Sequence, residues 1–371
     1  MLADLHAHVL PGSFPPAPGG CDPASWPAME PSGDDARVLV SGALRFTARA
    51  VFFSAEQRLA AMDASGVDAE VVSPMPPVLN YAVPAQAGRD LCRWINEFIV
   101  SLCAVEPRRF FGLGTVPMQD PELAAAELAG VRELGLAGVE IASNVGGVSL
   151  GDPRFADFFA EASRLGTPLF VHAMPAASER LPLAAAATFG VGVEGALAAA
   201  ALITSGVAEA YPALRLAFSH GAGGFPLMLP RAQWFWGRTW NEEPSGATGV
   251  SPAELARRFY YDTLVFDHRA IRYLIDMIGP DKLFVGSDFP AMDREEPAGR
   301  TLLSMGLPDA VLADITWHNC FRFLGIDPPK LFSSGEQHHF PRTDRSRPTR
   351  AMDLPRWRRA AAAAAAADPA R

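Results

Sequence analysis

Asp-Leu-His-Ala-His at positions 4–8 sets two imidazoles two residues apart. In a strand, residues i and i+2 share one face, so His6 and His8 point the same way. A lone buried histidine is satisfied by ordinary hydrogen bonds, but two side by side at the C-terminal end of a first strand read as metal ligands. Three more polar residues close strand-like runs: His172 in Pro-Leu-Phe-Val-His, His220 in Leu-Ala-Phe-Ser-His-Gly and Asp288 in Phe-Val-Gly-Ser-Asp-Phe-Pro. Of the eight histidines in the chain, four fall in these positions. His268 opens a helical pattern, His318 sits beside Asn319 on the last helix as a packing or hydrogen-bonding residue, and His338 and His339 lie near the C-terminus. None of these four is assigned a role.

Bringing such residues together requires strands that all end on one side. Eight runs have strand character: Asp4–Val9, Asp68–Ser73, Phe111–Val116, Gly138–Ser143, Pro168–Ala173, Arg215–Gly221, Phe259–Val265 and Lys282–Pro290. Helical patterns separate or follow them at Ala55–Ser65, Gln86–Val105, Pro121–Leu134, Pro153–Leu165, Gly192–Glu209, Phe225–Trp236, Arg269–Ile278 and Glu296–Ser304. This alternation predicts an α/β protein, a (β/α)8 TIM barrel with its active site at the C-terminal ends of the strands. The rival, an open doubly wound sheet, lacks support because no GxGxxG follows an early strand. The first connection is too long for a simple loop. Its start, Pro11 to Pro31, is rich in Pro and Gly, and Ala36–Phe53 reads as two or three short strands, so residues 10–54 are expected to form a small β-rich cap. Residues 1–332 then make up the barrel. From Ser333 onward Arg, Pro, Ser and Asp dominate, ending in alanines 360–367, and 333–371 is expected to be a solvated tail.

Composition narrows the function classes. The 371 residues are 49% hydrophobic and 20% charged, enough to bury a large core. A net charge of −9 argues against a general nucleic-acid binder, whose footprint is basic. Cys21, Cys92, Cys103 and Cys320 form no CxxC pair, which suggests neither a disulfide framework nor a cysteine zinc site. The N-terminus lacks the basic start and apolar run of a secretory signal, and the richest apolar stretch, Gly195 to Val207, is too short for a membrane span. No membrane partner is expected, and residence is expected to be cytoplasmic.

Taken together, DLHAHVLPG, RRFFGLGTVPMQDPELA, LFVHAMP, YPALRLAFSHGAGGFP and LFVGSDFP resemble, in order and spacing, the amidohydrolase-related metal-dependent decarboxylases typified by aminocarboxymuconate-semialdehyde decarboxylase. The resemblance runs from about Met1 to Ile326. It implies one divalent metal ion, usually Zn²⁺, held by His6, His8, His172 and Asp288, with His220 in proton transfer and a homodimeric assembly. The residues agree: three imidazoles and a carboxylate hold a divalent ion and leave room for a water whose pKa falls toward neutrality. The fourth strand, Gly-Val-Glu-Ile, has no lysine to become a carbamate bridge, which favours one metal over two.

Such a site suits decarboxylation, because a metal that polarises a neighbouring oxygen stabilises the charge left when carbon dioxide departs. The same ion could serve a hydrolase of an amide, lactone or ester, and a non-catalytic metal-binding protein is a third reading. The resemblance also marks a departure. Phe46 stands where these relatives carry a carboxylate-binding arginine, with Arg45 and Arg49 out of register. Arg231 matches, whereas Arg238 approximates a second arginine lent by a partner subunit but is displaced by one residue. A one-residue slip turns a strand side chain to the opposite face. The expected substrate is accordingly a small aromatic or ring-cleavage-derived carboxylic acid, with Phe46 as a stacking surface or simply as packing in the cap.

Overall fold

Eight parallel strands follow one another in chain order around the computed structural model. They are β1 (Ala3–Val9), β2 (Ala69–Pro74), β3 (Phe110–Gly114), β4 (Gly138–Ala142), β5 (Leu169–His172), β6 (Leu216–Phe218), β7 (Tyr260–Asp262) and β8 (Leu283–Phe284). The ring closes through parallel bridges from Asp4 to Val285 and from Ala7 to Phe289. There the amides of Leu5 and His8 donate to the Val285 and Phe289 carbonyls at 2.9 and 2.7 Å. This is the expected TIM barrel. The structure describes residues 1–33, 36–42, 44–174, 181, 185–236 and 249–329, which lie within one compact unit, Met1–Leu331. The tail expected at 333–371 lies outside the described residues. No helix among them is long and apolar enough to cross a membrane.

Each strand stands where the sequence pattern put it, but the later ones are shorter. β6 stops at Phe218 because the chain turns at Ser219–Ala222, where His220 adopts φ 53°, ψ 38°. β8 stops at Phe284. At Gly286 a Cβ would come within 2.7 Å of the His6 Cβ and 2.9 Å of the Asp262 Cβ, so only glycine lets the chain pass beneath the site. The helix expected at Glu296–Ser304 shrinks to Arg300–Leu303, since Pro297 and the left-handed Gly299 (φ 66°) precede it. The insertion carries an antiparallel sheet of three strands, Ala28–Pro31, Ala36–Ser41 and Leu44–Arg49. Its first strand thus precedes the Ala36–Phe53 stretch in which all the short strands were expected.

Inside the barrel, Leu5, Val71, Leu113, Phe170, Ala217 and Phe284 pack with Trp317, Phe321 and Phe323 from the last helical segments. β1 carries an irregularity that matters for this interior. Its pairing with β2 shifts between Asp4 and Ala7, the mark of a β-bulge. Leu5 belongs to the interior cluster, yet the His6 ring also lies inside, edge-on to Phe170 at 5.0 Å. The bulge changes the facing of the strand, so that Asp4 points away from the interior while His6 and His8 point into it.

Behind β1 and β2 sits a buried ionic cluster. The Arg58 guanidinium pairs with Glu70 and donates to the carbonyls of His8 and Val51 at 2.7 and 3.2 Å. Arg294 pairs with Glu70 and, at 3.1 Å, with Asp4. Burial opposes ionisation of Glu70, but the Arg58 and Arg294 charges outweigh it and hold its pKa below the usual value. The cluster ties β1, β2, the helix Ala55–Ser65 and the segment after β8 across the seam where the barrel closes. Removing one partner of a buried pair leaves an uncompensated charge, at a cost of about 3–5 kcal/mol. Glu70→Gln should therefore lower the unfolding free energy, measured by urea denaturation, by that amount, and an unchanged value would show that the two arginines are neutralised elsewhere.

Candidate metal centre

The polar residues at the strand ends meet at the C-terminal mouth of the barrel. His6 and His8 come from β1, His172 ends β5 on the face of Phe170, His220 follows β6 and Asp288 follows β8. His220 and Asp288 both take left-handed backbone angles, φ 53° and 56°, which non-glycine residues rarely adopt. Ligand-capable atoms of His6, His172, His220 and Asp288 all lie within 4.8 Å of one another. His8 falls outside that set of four but remains beside it, its Nε2 3.1 Å from Asp288 Oδ1. The His6 Nε2 is 3.6 Å from the same oxygen. Ring centroids of His6, His8 and His172 are 4.9–5.1 Å apart.

The Nδ1 side of three rings is taken. His6 donates to Asp262 Oδ2 at 2.7 Å, His8 to the Pro74 carbonyl at 3.0 Å and His172 to the Ala173 carbonyl at 3.0 Å. These acceptors fix the tautomer and leave each Nε2 with its lone pair. The Nε2 atoms of His6, His8, His172 and His220 are all buried without a hydrogen-bond partner among the described residues. Buried polar atoms seldom stay unsatisfied, and four converging beside one carboxylate fit a divalent cation.

The electrostatics agree. Burial lowers the pKa of His8, of His220 and, most strongly, of His172, keeping these imidazoles neutral as ligands must be. Burial also disfavours the His6 cation, but the Asp262 hydrogen bond and the charges of Asp288, Asp262 and Glu140 outweigh it and raise its pKa to about 9. Against the same burial, the His8 contact and the imidazoles hold Asp288 well below its usual value. The upward pull on His6 marks surroundings that favour positive charge.

Two of its residues went unassigned in the sequence reading. Asp262 ends β7 and accepts from His6 Nδ1, from the backbone amides of His220 and Gly221 at 2.8 Å each, and from that of Leu264 at 3.1 Å. The sequence signal is weak, a lone carboxylate in the middle of the strand-like run Phe259–Val265. Glu140 lies on β4, 3.7 Å from His8 Nδ1, with neither carboxylate oxygen hydrogen-bonded among the described residues. Burial pushes it up to about 8.

The residues expected to bind substrate do not gather here as a group. Phe46 packs edge-on to Phe52 at 5.4 Å, with Leu39 and Ala48 buried around it. Arg45 and Arg49 alternate with Phe46 along Leu44–Arg49 and are exposed, paired with Glu30 at 2.6 Å and Asp293 at 3.8 Å. They therefore do not replace an arginine on the Phe46 face. Arg231 is exposed on the helix Phe225–Phe235, its guanidinium over the Phe235 ring at 4.9 Å. Arg238 lies outside the described residues.

Comparison with known proteins places this geometry. The amidohydrolase family model matches residues 3–326. The 2-amino-3-carboxymuconate-6-semialdehyde decarboxylase of Dictyostelium discoideum is 29% identical over 335 residues, covering 88% of this chain and 92% of its own. Among solved structures, 5-carboxyvanillate decarboxylase from Sphingomonas paucimobilis superposes with a TM-score of 0.67 at 29% identity, over 73% of this chain and 83% of that one. A 5-carboxyvanillate decarboxylase from Novosphingobium aromaticivorans, complexed with manganese and 4-hydroxy-3-methoxy-5-nitrobenzoic acid, gives 0.66 at 26% identity over 74% and 81%. With the family's motifs converging on one divalent-metal centre, the chain belongs to the amidohydrolase family, as an enzyme of its metal-dependent decarboxylase branch.

Proposed function

We propose that this enzyme removes carbon dioxide from an aromatic or ring-cleavage-derived carboxylic acid, using one zinc ion held by His6, His8, His172 and Asp288, with His220 moving the proton. The observation that carries the reading is the convergence beside Asp288 of Nε2 atoms that have no hydrogen-bond partner among the described residues. The donor set, three nitrogens and one oxygen, suits zinc, although a relative's structure contains manganese. When bound, the cation supplies Lewis-acid stabilisation of charge on a substrate oxygen.

The chain's own residues do the rest. Breaking the bond to the carboxylate leaves its electron pair on the substrate carbon, and that carbon must gain a proton. His220 fits the task. It stands at the mouth, its Nε2 has no hydrogen-bond partner among the described residues, and its amide is pinned to Asp262. The same position supports a second reading of His220 as a ligand, since it lies within 4.8 Å of His6, His172 and Asp288.

Three further assignments complete the proposal. Residues 1–332 form the catalytic unit with 10–54 as its cap, which the antiparallel sheet in that insertion supports. Homodimerisation is supported by exposed Val193, Leu197, Leu227 and Met228 on two helices that pack together, Val191–Thr204 and Phe225–Phe235. A cytoplasmic setting is supported by four free cysteines.

His220→Asn is the informative variant, because asparagine tolerates the left-handed backbone found there. It should retain one equivalent of zinc per chain by elemental analysis while losing about a hundredfold or more in kcat. Metal loss would make His220 a ligand, and two equivalents in the wild type would end the mononuclear assignment. Asp262→Asn can present an N–H to His6 Nδ1 and so favour the tautomer with a protonated Nε2. Zinc affinity, measured by chelator competition, should fall about 10- to 100-fold, and an unchanged affinity would remove Asp262 from that role. For specificity, wild type should turn over an aromatic acid with a single carboxylate better than 2-amino-3-carboxymuconate-6-semialdehyde. Phe46→Arg should move kcat/KM toward the dicarboxylate by roughly one to two orders of magnitude. Efficient dicarboxylate turnover by the wild type would mean that another cation binds the second carboxylate.

A further inference from the structure

A cleft of about 630 Å³ opens at the other end of the barrel. It is lined where strands begin, at Phe110 of β3 and at Ala137, Pro168 and Arg215, which directly precede β4, β5 and β6. The metal-centre residues stand at the opposite ends of the strands. Its volume lies in the range of small-molecule sites, about 300–1,000 Å³. Much of the wall is apolar, including Val100, Phe111, Leu136, Leu324 and Ile326, and the charged side chains on it are Arg132 and Arg215. No Asp or Glu is among the described residues that line it.

The two arginines are held by carbonyls rather than carboxylates. Arg215 Nη2 donates to the Gly166 carbonyl at 2.7 Å, and Arg132 Nη1 donates to that of Leu165. The Arg215 Nε is buried without a hydrogen-bond partner among the described residues. Burial lowers the Arg215 pKa, and the nearby Arg132 charge adds to that effect. Gly325 leaves room for the guanidinium, because a Cβ there would lie 2.6 Å from Arg215 Nη2, and its φ of +71° suits glycine. Two cations and an apolar wall together describe the complement of an anion with a hydrophobic body.

We infer that this cleft is a second binding site, which takes an aryl monocarboxylate with its carboxylate at Arg215 and Arg132 and its ring against Phe111, Leu134 and Ile326. Occupancy is independent of the metal centre and does not compete with the substrate there.

Methyl-labelled full-length protein tests this through the Ile326 and Leu324 signals, which need no turnover and so do not depend on the proposed reaction. Benzoate should shift these signals at a concentration at least tenfold below that of neutral benzamide, and Arg215→Met should raise the benzoate concentration required at least tenfold. Should Arg215→Met fail to fold, Arg132→Met carries the same expectation. Equal responses to benzoate and benzamide, absence of any shift in the wild type, or an unchanged benzoate response in the folded variant would each overturn the site.

Discussion

Asp262 is the carboxylate on which the centre depends. One oxygen accepts from the His6 ring and the His220 amide, and the other from the amides of Gly221 and Leu264. A single side chain thus sets the tautomer of an imidazole on β1 and braces the turn after β6. Without these contacts the left-handed conformation at His220 would have little to offset its strain. Burial opposes the Asp262 charge, but the His6 hydrogen bond and charge, together with the His220 amide, keep its pKa below the usual value.

Two groups of buried charge stand on opposite sides of β1, and their difference separates architecture from chemistry. Behind the strand, Asp4 and Glu70 face Arg58 and Arg294, so that each carboxylate meets a guanidinium. Inside the barrel, Asp262, Asp288 and Glu140 have imidazoles for neighbours, and His6 alone is pushed toward the cationic form. The first group is complete in itself. The second is complete only with a cation from outside, which is what a metal centre is in electrostatic terms. Arg58 links the two by holding the His8 carbonyl while it pairs with Glu70.

The barrel and the centre were largely legible in the sequence, for a physical reason. β-Branched and apolar runs between amphipathic helices have few other ways to bury themselves, and a polar residue closing such a run stands out, as His172 and His220 do. The spacing of His6 and His8 sufficed to place them together. Asp262 does not stand out because it lies in the middle of the run Phe259–Val265 and not at its end, and because its role lies in contacts to residues 256 and 42 positions away. In sequence the fourth strand is informative for holding no lysine, and the burial of Glu140 is not visible there. The alternation rule did identify why Arg45 and Arg49 differ from Phe46, a distinction the cap sheet bears out.

The bulge in β1 has a meaning beyond geometry. Below it the strand is read in the frame of the hydrophobic interior, with Leu5 inward, and above it in the frame of the metal centre, with His6 and His8 inward. One supernumerary residue performs the change of frame. Strict alternation carried on from an inward Leu5 would turn both His6 and His8 outward, so a regular ladder cannot present Leu5 and the imidazole pair from the same face. The site is therefore encoded by register as well as by identities: a strand could keep both histidines and still lose the centre if it kept one frame throughout.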